Sequence, residues 1–535
     1  MLALALLLGF QGAVPPLDDG ALERTAILWD ARAVEHLYNR AGFGARPDEI
    51  VEGLELGPVA LVERLLEGGE DWPDEELAVF RWEDFGFDHR QLPLEDAAFL
   101  RLDHETQVEM CKDTRELDRG QFIALEERFF HSMIAGGSPL RERMTLFWHG
   151  FFTTSLRVNK RKYELIHQFR WFRHEALGSY ADLLRGIVRD PAMLQYLDNT
   201  SNWAEHPNEN LARELMELFS LGQGNYSEQD VREAARALTG YAGASNGRFE
   251  LLSEHHDRGA KTVLGVTGAL DAEDLVEILL AQEACAAHVA RRLLRHLEGL
   301  EPAPERLASY AATLREHGYA MRPFLRRLFL DPEFYAPERR GLRVQGGIEF
   351  LASLGHRLEV APGGLFLHRA ASFLGQEFYG PPSVKGWPEG LEWITGDALL
   401  RRAAIAGIVI GAFEPPPDVA ILGSLSSAGP ALSDELLSMR EELGSQPWRP
   451  APRLLERLRA IGAESDARIA GYVAEAWLGV PPSAELKALL GAALAADRAL
   501  FGLDDGALLD HPELFELALR RLAHLVFSLP EAQLS

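Results

Sequence analysis

Apolar residues in this chain recur at helical spacing and almost nowhere at the alternating spacing of a strand. Val231, Ala234, Ala235 and Leu238 fall at i, i+3, i+4 and i+7, and Leu61, Leu65 and Leu66 at i, i+4 and i+5. Each set therefore shares one face of a 3.6-residue helix. Start and stop signals agree. Arg46-Pro47-Asp48-Glu49 opens a helix with proline and acids in its first turn, and Gly42 and Gly44 close the helix before it. Ser227-Glu228-Gln229-Asp230 is a capping-box variant ahead of the Val231 helix, with Gly240 where that helix should stop. Strand signals are confined to residues 248–252 and 262–266, which predict a hairpin around the loop 255–261. With no repeating strand–helix alternation, a doubly wound sheet is not expected. The pattern predicts a mainly α protein: a large multi-helix domain with a small β-hairpin insertion and a C-terminal helical region packed on it.

The chain has 535 residues, 47% of them apolar and 25% charged. That composition excludes disorder as the main state and allows a large core. The formal charge of −27 repels phosphate backbones and anionic membrane surfaces, which argues against nucleic acid as a partner. Two cysteines, Cys111 and Cys285, are too few for a disulfide framework or a cysteine-only metal site; they read as two buried thiols or as one bridge.

Residues 1–14 read as a signal peptide, with an apolar run over 2–10 and a small-residue exit at Gly12-Ala13. The run lacks a Lys or Arg ahead of it, and Gln11 suits the cleavage site poorly. A helix packed on the core is the alternative. No later run reaches the ~18 apolar residues of a membrane span, so no transmembrane span is expected after signal removal. Residues 20–413 form the expected core domain and 414–535 the C-terminal region, divided at Glu414-Pro415-Pro416-Pro417 with a second Pro-rich stretch at 446–452. Three apolar runs, 183–191, 325–332 and 522–530, each finish on a residue-proline step that reads as a helix end.

Several ordered segments resemble the bacterial domain-of-unknown-function 1800 family. They are Glu35-His36-Leu37-Tyr38-Asn39-Arg40-Ala41-Gly42-Phe43-Gly44, Arg143-Met144-Thr145-Leu146-Phe147-Trp148-His149 and Asp190-Pro191-Ala192-Met193-Leu194. The densest is Pro207-Asn208-Glu209-Asn210-Leu211-Ala212-Arg213-Glu214-Leu215-Met216-Glu217-Leu218-Phe219, and His256-Asp257 with Lys261-Thr262, Pro381-Pro382 with Gly386-Trp387-Pro388, and Ser528-Leu529-Pro530 continue the match. The resemblance implies a mostly helical, often exported bacterial protein, commonly encoded beside a domain-of-unknown-function 1501 protein that resembles alkaline-phosphatase-like sulfatases. It implies no reaction. Where that family often has Asn-His-Phe after Trp148-His149, this chain has Gly150-Phe151-Phe152, so a second histidine is missing.

Five groups of residues could carry chemistry. Taken as a helix, 207–221 puts Glu209, Arg213 and Glu217 on the face opposite Leu211, Leu215 and Leu218, with Asn210 and Glu214 adjacent and Asn208 as a cap. The plain reading is an exposed face with two i, i+4 ion pairs; the sharper one is a carboxylate face turned into a metal-holding cavity. His149, in an aromatic run, reads first as a hydrogen-bonded core residue. His167 and His174, with Arg170 and Arg173 between them, read as an ion-paired or anion-facing surface. His255, His256 and Asp257 suit a divalent metal or a general-base pair, with Lys261 following, and otherwise form a solvated turn. Gln376, Trp387 and Trp393 lie in a Gly/Pro-rich loop suited to stacking on a ligand, or folded back as a lid on the core. Gly243-Ala244-Ser245-Asn246-Gly247 fits G-x-S-x-G but in the wrong strand–helix order for a nucleophile.

Three functions follow in order of preference. The first is an exported binding or accessory protein working with a sulfatase- or phosphatase-like partner. The second is a metal-dependent enzyme, a hydrolase or oxidoreductase, with Glu209, Glu217, His255, His256 and Asp257 as ligands of a divalent metal. Its catalytic candidates are His149, Asn208, Glu209, Asn210, Arg213, Glu214, Glu217, His256, Asp257 and Lys261. The third is a structural envelope protein.

Overall fold

The computed structural model describes residues 27–69, 72, 103–159, 162–243, 249–411, 436–441 and 452–535, the side chains of 104–118, 163, 452 and 453 apart. The signal-peptide reading at 1–14, the proline boundary at 414–417, residues 446–451 of the second Pro-rich stretch and residues 244–247 of the G-x-S-x-G match lie outside the described residues.

Helices begin where their caps are. Asp30 accepts from the Ala33 N–H at 2.8 Å to start α1 (Ala31–Ala41), and the Gly42 N–H closes it on the Tyr38 carbonyl at 2.9 Å. Pro47 opens α2 (Pro47–Glu67), with Glu49 folded back on the Arg46 N–H at 2.7 Å. α2 is kinked at Gly57, where φ is +76 ahead of Pro58. α3 (His104–Ala135), α4 (Pro139–Phe151), α5 (Lys162–His174), α6 (Tyr180–Ile187) and α7 (Pro191–Tyr196) follow. α8 (Asn210–Glu217) is shorter than the 207–221 helix that the periodicity suggests, and α9 (Glu228–Ala237) starts on the Ser227–Asp230 capping box.

The small β region differs from the expected hairpin. β1 (Tyr241–Gly243) pairs antiparallel with β2 (Phe249–Leu251), and β3 (Lys261–Val263) with β4 (Val266–Gly268). Leu264 and Gly265, at φ +49 and +83, form a two-residue turn that cuts the expected 262–266 strand in half. Residues 255–261 therefore join two ribbons and are not the tip of one.

The remainder is helical: α10 (Ala272–Ala281), α11 (Glu283–Glu298), α12 (Pro304–Glu316), α13 (Met321–Phe329), α14 (Gly347–Leu358), α15 (Gly364–Phe373), α16 (Gly396–Ile410), α17 (Pro452–Ala460), α18 (Asp466–Trp477), α19 (Ala484–Leu500) and α20 (Pro512–Phe527). Mainly α with a small β portion is thus the architecture. The three residue-proline steps do more than end helices. Pro191, Pro332 and Pro530 each open a new short helix at its first position, and Asp190 and Asp331 cap the first two. No helix of the described residues is long and apolar enough to cross a membrane.

Two apolar cores meet across α4. One gathers α1, α2 and the helices from α6 to α13; the other gathers α3, α14, α15, α16 and the C-terminal helices, and so runs across residue 413. α4 gives Met144, Phe147, Trp148 and Phe151 to the first and Leu146 to the second. α4 and α14 are buried on every side, Pro139 and Gly150 of α4 excepted, and this is where an ionic side chain is most costly. Yet Arg143 and Glu349 sit in these two helices.

Candidate functional site

Arg143 and Glu349 answer each other. The Arg143 guanidinium donates to Glu349 Oε1, and so does that of Arg343; Glu349 Oε2 accepts the Gly346 N–H at 3.0 Å. Burial would push the Glu349 carboxyl up, but Arg343 and Arg143 outweigh it and hold the group far below the usual carboxylate range. Burial brings Arg143 down to about 9, and Glu349 only partly offsets this. Two more guanidiniums are packed nearby. Arg40 donates to the Leu297 and Arg339 carbonyls at 3.3 and 2.8 Å, and Arg402 to Gln533 and the Gln345 carbonyl at 2.6 and 2.7 Å. The chain's last residues pair with 343–345, so Gln533 and Ser535 back this network.

The network forms one wall of a cavity of about 380 Å³. Glu349 and Arg343 line it from one side, and Arg292, Arg295 and His296 of α11 from another. Arg295 lies 3.1 Å from Glu389, while Arg292 lies 3.7 Å from Glu389 and 5.0 Å over the Phe151 ring. Four cations (Arg292, Arg295, Arg343, Lys385) line the cavity against three carboxylates (Glu301, Glu349, Glu389). In a chain of formal charge −27, this is a local reversal of sign.

The stacking loop borders the cavity. Gln376, Trp387 and Trp393 all line it, together with Lys385. Gln376 Oε1 accepts the Ile348 N–H at 2.9 Å, which ties the loop to the start of α14. Thr153 Oγ1 donates to the Val384 carbonyl at 2.5 Å. Gly386 has φ +91, and a Cβ there would lie 2.8 Å from the Gly150 carbonyl oxygen, so the loop crosses α4 where only glycine fits.

His149 lies behind this loop. Its ring stacks between Phe378 at 4.7 Å and Trp387 at 4.9 Å, with Tyr379 edge-on at 4.5 Å. It is a core residue, but not the hydrogen-bonded one expected: both ring nitrogens are buried without a partner. Burial brings its pKa down to about 3, so the ring is neutral.

The α8 face is mostly spent on structure. Asn208 Oδ1 accepts the Asn210 N–H at 3.0 Å, and its amide reaches the Asp198 carbonyl. Arg213 pairs with Glu209 at 2.9 Å and with Glu228 at 2.8 Å, in place of the expected i, i+4 partner Glu217. Glu217 instead accepts from Tyr226 Oη at 3.0 Å, and Asn210 is exposed. Glu214 is the exception. Half-buried, its carboxyl is pushed up by burial and by Glu217, with Lys385 opposing. Lys385, which also lines the cavity, therefore lies within electrostatic reach of Glu214.

The candidate metal ligands are spread among other partners. Among the described residues, no three His, Cys, Asp or Glu side chains come together to hold a metal. Asp257 is taken by Arg236 at 2.7 Å, His256 Nδ1 faces the Thr239 carbonyl at 2.9 Å, and His255 stacks on Trp203 at 4.7 Å. Lys261 is buried on the carbonyls of Asp257 and Gly259. Glu209, Glu217, His255, His256 and Asp257 therefore form no common donor set: guanidinium, backbone and hydroxyl partners hold four of them, and His255 lies stacked on Trp203 with its Nδ1 unpartnered. Near α5, Arg173 is buried against Glu142 at 2.7 Å, an ion pair inside the protein and not on its surface. Cys285 is a free, buried thiol.

Sequence reading missed Arg143, Arg343, Glu349 and the basic face of α11. Only the last left a signal: Arg292, Arg295 and His296 fall at i, i+3 and i+4.

Fold and site together define a mainly helical protein with a half-open, charge-lined cavity, bordered by an aromatic loop. The chain belongs to the family described as protein of unknown function (DUF1800), whose model matches residues 36–534. No curated protein and no solved structure matches it.

Proposed function

We propose that this chain is an exported ligand-binding protein that holds a ring-bearing ligand in the cavity under the loop 376–393, as accessory to a sulfatase- or phosphatase-like partner. One observation carries the reading: Trp387, Trp393 and Gln376 of a single loop meet at one cavity of about 380 Å³, a size within the ~300–1,000 Å³ of small-molecule sites. The apolar stretch at 1–14 supports export. The family resemblance supports a domain-of-unknown-function 1501 protein as the partner.

Titration of the purified protein with a saccharide panel, followed by tryptophan fluorescence, tests the reading. A saturable change in wild type that is lost in both Trp387→Ala and Trp393→Ala is expected. No saturable change with any sugar, neutral or charged, refutes it.

The metal-dependent reading has less support, since its donors are engaged elsewhere. Elemental analysis of chelator-free protein decides it: stoichiometric metal that disappears in folded Glu209→Ala and His256→Ala would restore an enzyme with a metal centre.

A further inference from the structure

The cavity is lined by residues whose polar side-chain nitrogens have no hydrogen-bond partner. Trp387 Nε1, a donor only, is buried without a partner, and so is Nε2 of His296. Both residues line the cavity. Lys385 also lines it and forms no ion pair among the described residues. Arg292 is held only loosely by Glu389, at 3.7 Å. By contrast, the Glu349 carboxylate is already shared between two guanidiniums and a backbone N–H. Buried donors without acceptors are costly and uncommon in native proteins. A wall that keeps the unpartnered Trp387 N–H beside an exposed Lys385, with cations in excess, suits an acceptor-rich guest.

Trp387 also sets the shape of that guest. One face of its indole is covered by His149, and the residue lines the cavity as well. A flat ring laid on the indole puts its substituents beside Nε1.

Resting on the binding role proposed above, we infer that the cavity takes an oxyanion borne on a sugar-sized ring, a sulfate or phosphate ester or a carboxylate, with the charged group between Arg292, His296, Lys385 and the Trp387 N–H. The same chemistry is offered by a sulfated, a phosphorylated or a uronic sugar, and the test separates them.

Calorimetric titration of the full chain with glucose, glucose 6-sulfate, glucose 6-phosphate and glucuronate, and with inorganic sulfate, reads the inference directly. At least one charged sugar should bind about tenfold or more tighter than glucose, the gain of one charge-assisted hydrogen bond. Arg292→Gln should remove most of that gain. Trp387→Phe keeps a stacking ring and loses the N–H, so it should weaken the charged sugar by a clearly larger factor than it weakens glucose. Glucose binding as tightly as every charged sugar overturns the inference while leaving the binding role intact. Inorganic sulfate binding as tightly as the best charged sugar also overturns it, since the ring then contributes nothing. Binding of neither sugars nor sulfate removes the binding role itself.

Discussion

Replacing Glu349 by Gln is the sharpest test of the ionic wall. The substitution keeps the shape of the side chain but removes the carboxylate shared by Arg143 and Arg343. The Arg143, Arg343 and Glu349 side chains are 2%, 8% and 6% exposed, so water cannot replace the lost charge. Removing one partner of a buried ion pair costs about 3–5 kcal/mol, because the remaining charge stays buried and uncompensated. For a chain of this length, with unfolding entropy near 2.1 cal/mol/K per residue, that is a fall of about 3–5 °C in melting temperature if the chain melts in one transition. The pH profile supplies a second readout. A carboxyl held below its ordinary value stabilises the fold above that value and loses the contribution as pH falls, so the wild-type advantage should shrink below about pH 4.5. Sulfate should narrow the gap between variant and wild type more than chloride at matched ionic strength. The comparison is of the gap, since sulfate stabilises both proteins non-specifically. Thermal melts of both proteins in the two salts and across pH measure all of this. If Glu349→Gln melts within about 1 °C of wild type at neutral pH, the wall does not carry the ionic load assigned to it.

Other substitutions probe neighbouring parts of the site. Gly386→Ala forces a Cβ to within 2.8 Å of the Gly150 carbonyl at φ +91; it should cost about 1–2 kcal/mol or more and red-shift tryptophan emission, and unchanged melting and emission would contradict the loop's close seat. His149→Phe removes two buried, unpartnered nitrogens, each costing about 1–3 kcal/mol; a melting temperature equal to or above wild type is expected, and a clear fall would mean that the imidazole has a partner. Asp190, partly buried at the start of α7, has its carboxyl pushed up to about 7 by burial. A raised carboxyl stabilises fully below its unfolded value and loses the contribution as pH rises through about 7. Asp190→Asn keeps the cap on Met193 and should flatten the stability profile between pH 4 and 8; parallel profiles would refute the assignment.

Local signals were legible because local physics decides them. Proline at Pro47 and the Ser227–Asp230 box mark true helix starts, and the helical period at Val231 to Leu238 marks a true buried face. The 262–266 strand misled because β-propensity outweighed the one turn signal present, Gly265 after Leu264. The α8 face was legible as far as Glu209–Arg213, which lie four apart. Glu228 was not, since it reaches Arg213 from the next helix. Asp257 looked free to bind a metal because Arg236, 21 positions earlier, has no local pattern connecting it to that loop.

The cavity wall was illegible for a stronger version of the same reason. Arg143 and Glu349 are 206 positions apart, and each sits in a helix whose pattern announces only burial. Nor do carboxylates balance the guanidiniums placed there. Arg40 and Arg343 donate to the carbonyls of Leu297 and His296, in the last turn of α11, where the helix dipole presents partial negative charge. The end of α11 therefore helps to hold two cations that Glu349 alone could not compensate. The same two turns of α11 carry Arg292, Arg295 and His296 into the cavity. Backbone dipoles, which cannot be titrated or displaced, thus share with Glu349 the compensation of the buried guanidiniums, while Glu389 faces Arg292 and Arg295 at the cavity. A wall of guanidiniums held in this way supports the binding role proposed for the cavity.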